Sequence, residues 1–161
     1  AKALSYTIGK NKITIPYKDI IPKAIHEIAE GFLNPPLKCF GYLGIQKLGK
    51  EMLTWLKCTP NPKTDLVDQS GMMENAGTGG AIFRNFYRDF LFECIEYFPE
   101  NNNIKAGAEL YREAARNWTE IAKLIKNAGE NLEFKYLENA SELCLETALI
   151  EKEAMELLLK I

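Results

Sequence analysis

Beyond residue 18, apolar side chains recur three or four residues apart over five long stretches, each closing one face of an α-helix. A fold built mainly of sheet is excluded, because a half-buried strand needs alternation. Ile21, Ala24, Ile25, Ile28, Ala29 and Phe32 set a helix from Asp19 to Phe32, which Asn34-Pro35-Pro36 ends. Ile45, Leu48, Met52, Trp55 and Leu56 set a second, from Gly44 to Lys57, ended by Thr59-Pro60-Asn61-Pro62. Residues 63 to 77 read as a short helix, since Ser70-Gly71 and Gly77 interrupt Leu66, Val67, Met72 and Met73.

The widest stripe runs through Ile82, Phe83, Phe86, Tyr87, Phe90, Leu91, Cys94, Ile95 and Phe98 up to Pro99. It is too wide for a surface helix and is expected to be the central element. Ala108, Tyr111, Ala115, Trp118, Ala122 and Ile125 predict a helix from Ile104 to Asn127, with Gly129 as its stop. Leu137, Ala140, Cys144, Ala148, Ala154 and Leu158 predict a last one from Leu132 to the end.

Before residue 18 the period changes to two. Leu4, Tyr6, Ile8 and then Ile13, Ile15, Tyr17 alternate over 3–8 and 12–17 around Gly9-Lys10-Asn11, a hairpin signal. A lone hairpin is marginal in water, so these strands should pack on the helices or extend a sheet supplied by a further part of the protein. The expected fold is mainly α: one domain, with a short hairpin over 1–17 and a five- to six-helix bundle over 18–161.

With 161 residues and 47% hydrophobic content, the chain can close one core, whereas two would be starved of apolar surface. Twenty basic against 22 acidic side chains, scattered along the chain, give a net charge of -2 and no field for a nucleic acid. No apolar run reaches the roughly 18 to 20 residues of a membrane span, and no secretory signal opens the chain, so a cytoplasmic location is expected. The start, Ala1-Lys2-Ala3-Leu4-Ser5-Tyr6, lacks Met and is already in alternation, which reads as an entry into the middle of a longer protein.

Chemistry-bearing residues are sparse. Cys39, Cys58, Cys94 and Cys144 have no close pairs, and His26 is the only histidine, so neither a metal site nor a cofactor nor a catalytic centre is expected. A thiolate–imidazole pair of His26 with Cys39 is the sharp alternative to an exposed imidazole and inert thiols; it would need a depressed thiol pKa.

The most distinctive stretch is Glu74-Asn75-Ala76-Gly77-Thr78-Gly79-Gly80-Ala81-Ile82-Phe83-Arg84, a glycine-rich turn feeding a helix. Backbone N–H groups at a helix start suit an anion. Without a preceding strand or a following Lys, however, neither the P-loop nor the dinucleotide fingerprint is met. The structural reading is that Thr78 caps the helix and the glycines permit close packing. Arg84 and Arg88, four residues apart near a helix start, oppose each other and the dipole, so something anionic should compensate. A local acid such as Glu74 or Asp89 would do so, as would a ligand phosphate or an acidic partner surface. Candidate ligand- or partner-binding residues are therefore Gly77, Thr78, Gly79, Gly80, Arg84 and Arg88.

The order of motifs resembles a known family. A hairpin at Ser5-Tyr6 is followed by an amphipathic helix closed by Pro35-Pro36, then by Gly41-Tyr42-Leu43-Gly44-Ile45 opening a helix with Trp55. Glu74, Gly77-Thr78-Gly79-Gly80-Ala81-Ile82-Phe83-Arg84, Tyr87, Phe90-Leu91 and Glu93 follow, with Trp118 in the next helix. The chain resembles, over nearly its whole length, the C-terminal domain of the butirosin biosynthesis protein H family. That resemblance implies a two-part protein with a cysteine-peptidase-like N-terminal half, acting as an acyltransferase or an amide-bond enzyme; the best-known member of the family, in antibiotic biosynthesis, moves an acyl group from an acyl carrier protein to an aminoglycoside amine. The nucleophile would lie in that half, and no cysteine here matches its motif. The partners implied are the protein's own N-terminal domain and an acyl carrier protein. The uncompensated charge of Arg84 and Arg88 suggests in addition that the Gly77–Gly80 turn contacts that carrier's acidic surface or its phosphopantetheine phosphate.

Two further readings compete with this accessory role: a non-enzymatic bundle serving assembly, and an independent enzyme using His26 with a cysteine. A cleft-forming half should leave a contiguous apolar patch, whereas an autonomous module should be closed.

Overall fold

The computed structural model describes residues 15–76 and 79–161. Seven helices are present among them: α1 (Tyr17–Leu33), α2 (Gly41–Met52), α3 (Trp55–Cys58), α4 (Pro62–Asn75), α5 (Ala81–Tyr97), α6 (Asn102–Asn131) and α7 (Phe134–Leu158). The fold is a helical bundle. The expected hairpin lies outside the described residues except for its last three. There, Ile15 and Pro16 are irregular and Tyr17 opens α1 instead of closing a strand.

The spine is the antiparallel pair α6 and α7, with α4 and α5 laid on α6 and with α2 and α1 on α7. At about 1.5 Å per residue, the 30 residues of α6 span about 45 Å. Asn101 caps its start, its side-chain oxygen accepting from the Asn103 and Ile104 N–H groups at 3.0 and 3.1 Å. Twelve residues of α6 are buried, seven of them Ala or Gly, so neighbours approach closely on several sides of the few large anchors Ile104, Tyr111, Trp118, Ile121 and Ile125.

Several expectations need correction. The central element is α6, not the helix with the widest apolar stripe: α5 buries only Ala81, Leu91 and Cys94, while Phe83 and Phe86 stay 54% and 62% exposed. Gly129 does not stop α6. It is buried inside the helix, where an added Cβ would lie 2.9 Å from Leu66 Cβ and 3.3 Å from the Pro62 and Lys63 carbonyl oxygens, so this glycine admits the start of α4. The stop comes at Leu132, which adopts the left-handed conformation (φ 56°) and precedes α7 instead of opening it.

The helix expected over 44–57 is split at Leu53-Thr54, where the Thr54 hydroxyl donates to the Glu51 carbonyl, and α3 then turns Trp55 and Leu56 towards the core. Helix α4, by contrast, runs unbroken through Ser70-Gly71. Leu66, Ser70 and Met73 form its buried line, Pro62 opens it, and Asp65 accepts from the Asn61 N–H at 3.0 Å. The split of the second helix and the one-turn α3 account for a count above the expected five or six.

The apolar interior forms two clusters along the spine. One gathers Met52, Leu66, Trp118, Ile121, Ile125, Leu137 and Cys144 from α2, α4, α6 and α7. The other gathers Ile25, Leu91, Cys94, Ile104, Tyr111, Met155 and Leu158 from α1, α5, α6 and α7. Where they meet, the interior turns polar.

Candidate functional site

Glu151 stands on the buried face of α7 at the spacing of Cys144, Ala148, Met155 and Leu158, and its side chain is 1% exposed. A carboxylate there is tolerable only if it is paired and fully hydrogen-bonded. Arg84, on the first turn of α5, supplies the partner: Nε donates to Oε1 at 2.9 Å and Nη2 to Oε2 at 3.1 Å, a bidentate pair. Trp118 Nε1 on α6 donates to Oε1 at 2.6 Å, and the Arg84 guanidinium lies 4.6 Å from the centre of the Trp118 ring. The last arm of Arg84, Nη1, donates to the Gly79 carbonyl at 2.6 Å. Three helices and the glycine turn are thus tied at the junction of the two clusters, and the formal charges cancel.

This junction borders two cavities that share Arg84. The larger, about 490 Å³, is lined by Cys39, Phe40, Ile45, Leu48, Gln69, Met73, Trp118 and the turn at Gly79. The smaller, about 210 Å³, has Ile28, Phe32, Phe83 and Met155 on its walls with Tyr87, Tyr111 and Glu151. Burial drives the Tyr111 hydroxyl far above its ordinary pKa, Glu151 and Tyr87 push the same way, and Arg84 opposes them. Both phenols are therefore neutral at physiological pH, since burial raises Tyr87 as well.

The sequence-derived candidates separate in space. Gly77 and Thr78 lie outside the described residues. Gly80 is the N-cap of α5 and is buried; a Cβ there would sit 2.2 Å from the Met73 carbonyl oxygen, so close packing of α4 on this turn requires glycine. Gly79 has φ +104° and nothing within 4 Å of where a Cβ would be. Arg88 does not reach the junction; it bonds Asp89 on its own helix, at 2.7 Å, and Asn85. The expected compensating acid is thus local for Arg88, while for Arg84 it is Glu151, 67 residues away, and not Glu74. Glu74 accepts instead from the Thr119 hydroxyl at 3.2 Å.

His26 and Cys39 are not brought to one site. His26 is exposed in a shallow groove with Pro22, Lys23, Glu27 and Ile161, whereas Cys39 is exposed on the wall of the larger cavity. Burial pushes the Cys94 and Cys144 thiols up, to about 11 and about 12, so both are inert thiols at neutral pH. Among the described residues, no group of three His, Cys, Asp or Glu could hold a metal ion. None of the described helices is long and apolar enough to cross a membrane.

Sequence reasoning passed over Glu151, although a signal was present. Cys144, Ala148, Glu151, Met155 and Leu158 are spaced four, three, four and three, so a lone acid occupies an apolar stripe. Such an acid demands a cation from elsewhere, and Arg84 was already conspicuous as a cation in need of a compensating anion.

Neither curated proteins nor solved structures yield a match to the chain. A family model does, over residues 1–158, and the chain accordingly belongs to the family described as Domain of unknown function (DUF4872).

Proposed function

We propose that this chain is the accessory half of a two-part protein similar to butirosin biosynthesis protein H, walling a substrate or carrier site whose reacting groups lie in the other half. The observation that carries the reading is an uncovered apolar face beside the cavities. Phe83 and Phe86, with ring centres 6.4 Å apart, and Ile28 are 54%, 62% and 45% exposed, and Phe83 and Ile28 border the same cavity. Apolar patches of this kind mark surfaces that another chain or domain covers. The interior beside them is fixed by the Arg84–Glu151–Trp118 network, which suits a rigid wall and offers no nucleophile.

The test is association with a separately produced N-terminal half. The double variant Phe83→Ser/Phe86→Ser should leave the helical content of this chain unchanged while weakening that association at least about tenfold, because each side chain removes apolar contact. Unchanged association would sink the reading. Self-association of the chain through the same face, abolished by the same variant, would instead favour an assembly module. Docking of an acyl carrier would fall to Arg88, since Arg84 is held in the interior. Arg88→Glu should weaken carrier binding, and an unaltered affinity would remove the carrier from the proposal.

A further inference from the structure

The larger cavity has the size of a ligand pocket, about 490 Å³; it shares Arg84 with the smaller one, and neither Phe83 nor Phe86 lines it. Its walls are Phe40, Ile45, Leu48, Met73 and the Trp118 ring, with the Gln69 amide as an uncharged polar group. A sequence with a glycine turn followed by two arginines suggests an anion site, but the charge accounting in the folded chain is different. Arg84 gives two N–H groups to Glu151 and another to the Gly79 carbonyl, and its ring-facing side lies on Trp118. Arg88 is turned to Asp89 and Asn85. An anion entering the cavity would face a cation already neutralised by a buried carboxylate, and would give up its water for little in return.

We infer that this cavity binds a neutral ligand with an apolar, ring-sized body and one uncharged hydrogen-bonding end that meets Gln69. This deepens the accessory reading and rests on it, because it names what the walled site accepts.

The cysteines provide the assay. Cys39 lines the cavity and is exposed, Cys58 is exposed elsewhere, and Cys94 and Cys144 are buried, so N-ethylmaleimide labelling of Cys39 reports occupancy with Cys58 as internal control. Three probes that share a phenyl body divide the possibilities: the isosteric pair benzamide and benzoate, and the smaller, apolar toluene. At millimolar concentration benzamide should slow labelling of Cys39 several-fold without affecting Cys58, and benzoate should bind at least about tenfold more weakly than benzamide. Gln69→Leu should weaken benzamide about fivefold and leave toluene unchanged. Leu48→Trp, which fills the cavity, should remove protection by both.

Equal or better protection by benzoate would overturn the inference while leaving the accessory reading intact. Failure of all three probes to protect Cys39 would also overturn it, and the accessory reading would then stand or fall on the association experiment with Phe83→Ser/Phe86→Ser. An unaltered benzamide affinity in Gln69→Leu would remove the hydrogen-bonding end from the inference.

Discussion

Helices α5 and α6 lie against each other and use their apolar residues in opposite ways. Helix α6 has charged residues along one side and buries twelve residues of its 30, mostly small ones around a few large anchors. Helix α5 is richer in large aromatic side chains, yet buries three of 17 and leaves two phenylalanines more than half exposed. Large side chains alone do not place a helix at the centre. What does is a stripe of Ala and Gly that lets α4, α5 and α7 approach one backbone, which a search for wide stripes of large apolar side chains underrates because Ala and Gly add little bulk to one.

The two helices meet in the polar junction, and the largest expected effect lies there. Glu151→Ala should destabilise the chain by about 3 to 5 kcal/mol, because it strands the Arg84 guanidinium and the Trp118 N–H in the interior. Urea denaturation would measure it. Glu151→Gln should cost less, keeping an oxygen for Trp118 while losing the charge opposite Arg84. Loss of under about 1 kcal/mol in Glu151→Ala would mean that the network is solvated and that the charge argument for the cavity fails with it.

The next effect tests the small-residue spine. Gly129→Ala adds a methyl against Leu66 Cβ and two α4 carbonyls and should cost about 1 to 3 kcal/mol, against the usual gain from replacing a helical glycine. Gly31→Ala in α1 is the control, since nothing lies within 4 Å of its Cβ position; it should stabilise by about 0.5 to 1 kcal/mol. A stabilised Gly129→Ala would show that α4 sits farther from α6 than described.

These residues also show what could be read from the chain and what could not. Five amphipathic stretches, three of them with proline stops, are visible as helices, because period and breaker are local properties. The roles of Gly129 and of Ser70-Gly71 are not, since a glycine that stops a helix and one that admits a neighbour look alike until the neighbour is placed. The site divides in the same way. Arg84 is conspicuous from local charge alone, while its partner Glu151 is 67 residues away and is visible only as a misfit in an apolar stripe. Of the larger cavity only Gly79 and Arg84 were conspicuous, because its other walls come from the α1–α2 turn, α2, α4 and α6 and meet only in the folded chain.

A third effect is confined to alkaline solution. The Cys94 and Cys144 thiols are raised by burial to about 11 and about 12 from an ordinary value near 9.0, and thus hold their protons more tightly folded than unfolded. Their contribution to stability is complete below the unfolded-state value and is lost as pH rises through 11 and 12, at up to about 1.4 kcal/mol per pH unit for each group between its two values. The raised phenols of Tyr87 and Tyr111 add to the loss above about pH 10. Urea midpoints at pH 8 and pH 10 should therefore fall, and Cys144→Ala should flatten the decline. An equal decline in that variant would mean that Cys144 reaches solvent.

The smallest effect sharpens the contrast between the two helices most directly. Phe86→Ser changes the most exposed phenylalanine of α5, and in this chain alone it should shift stability by no more than about 0.5 kcal/mol. Ile125→Ala, which empties a fully buried position of α6, is the comparison and should cost about 2 to 5 kcal/mol. The informative quantity is how the Phe86→Ser value moves when the proposed covering partner is added, because a residue that contributes nothing to the isolated bundle can have an energetic role only outside it. A cost that stays near zero with the N-terminal half bound would leave the face of α5 without a use in that assembly. A cost that rises by about 1 kcal/mol or more on binding would identify this face of α5 as one that its partner completes.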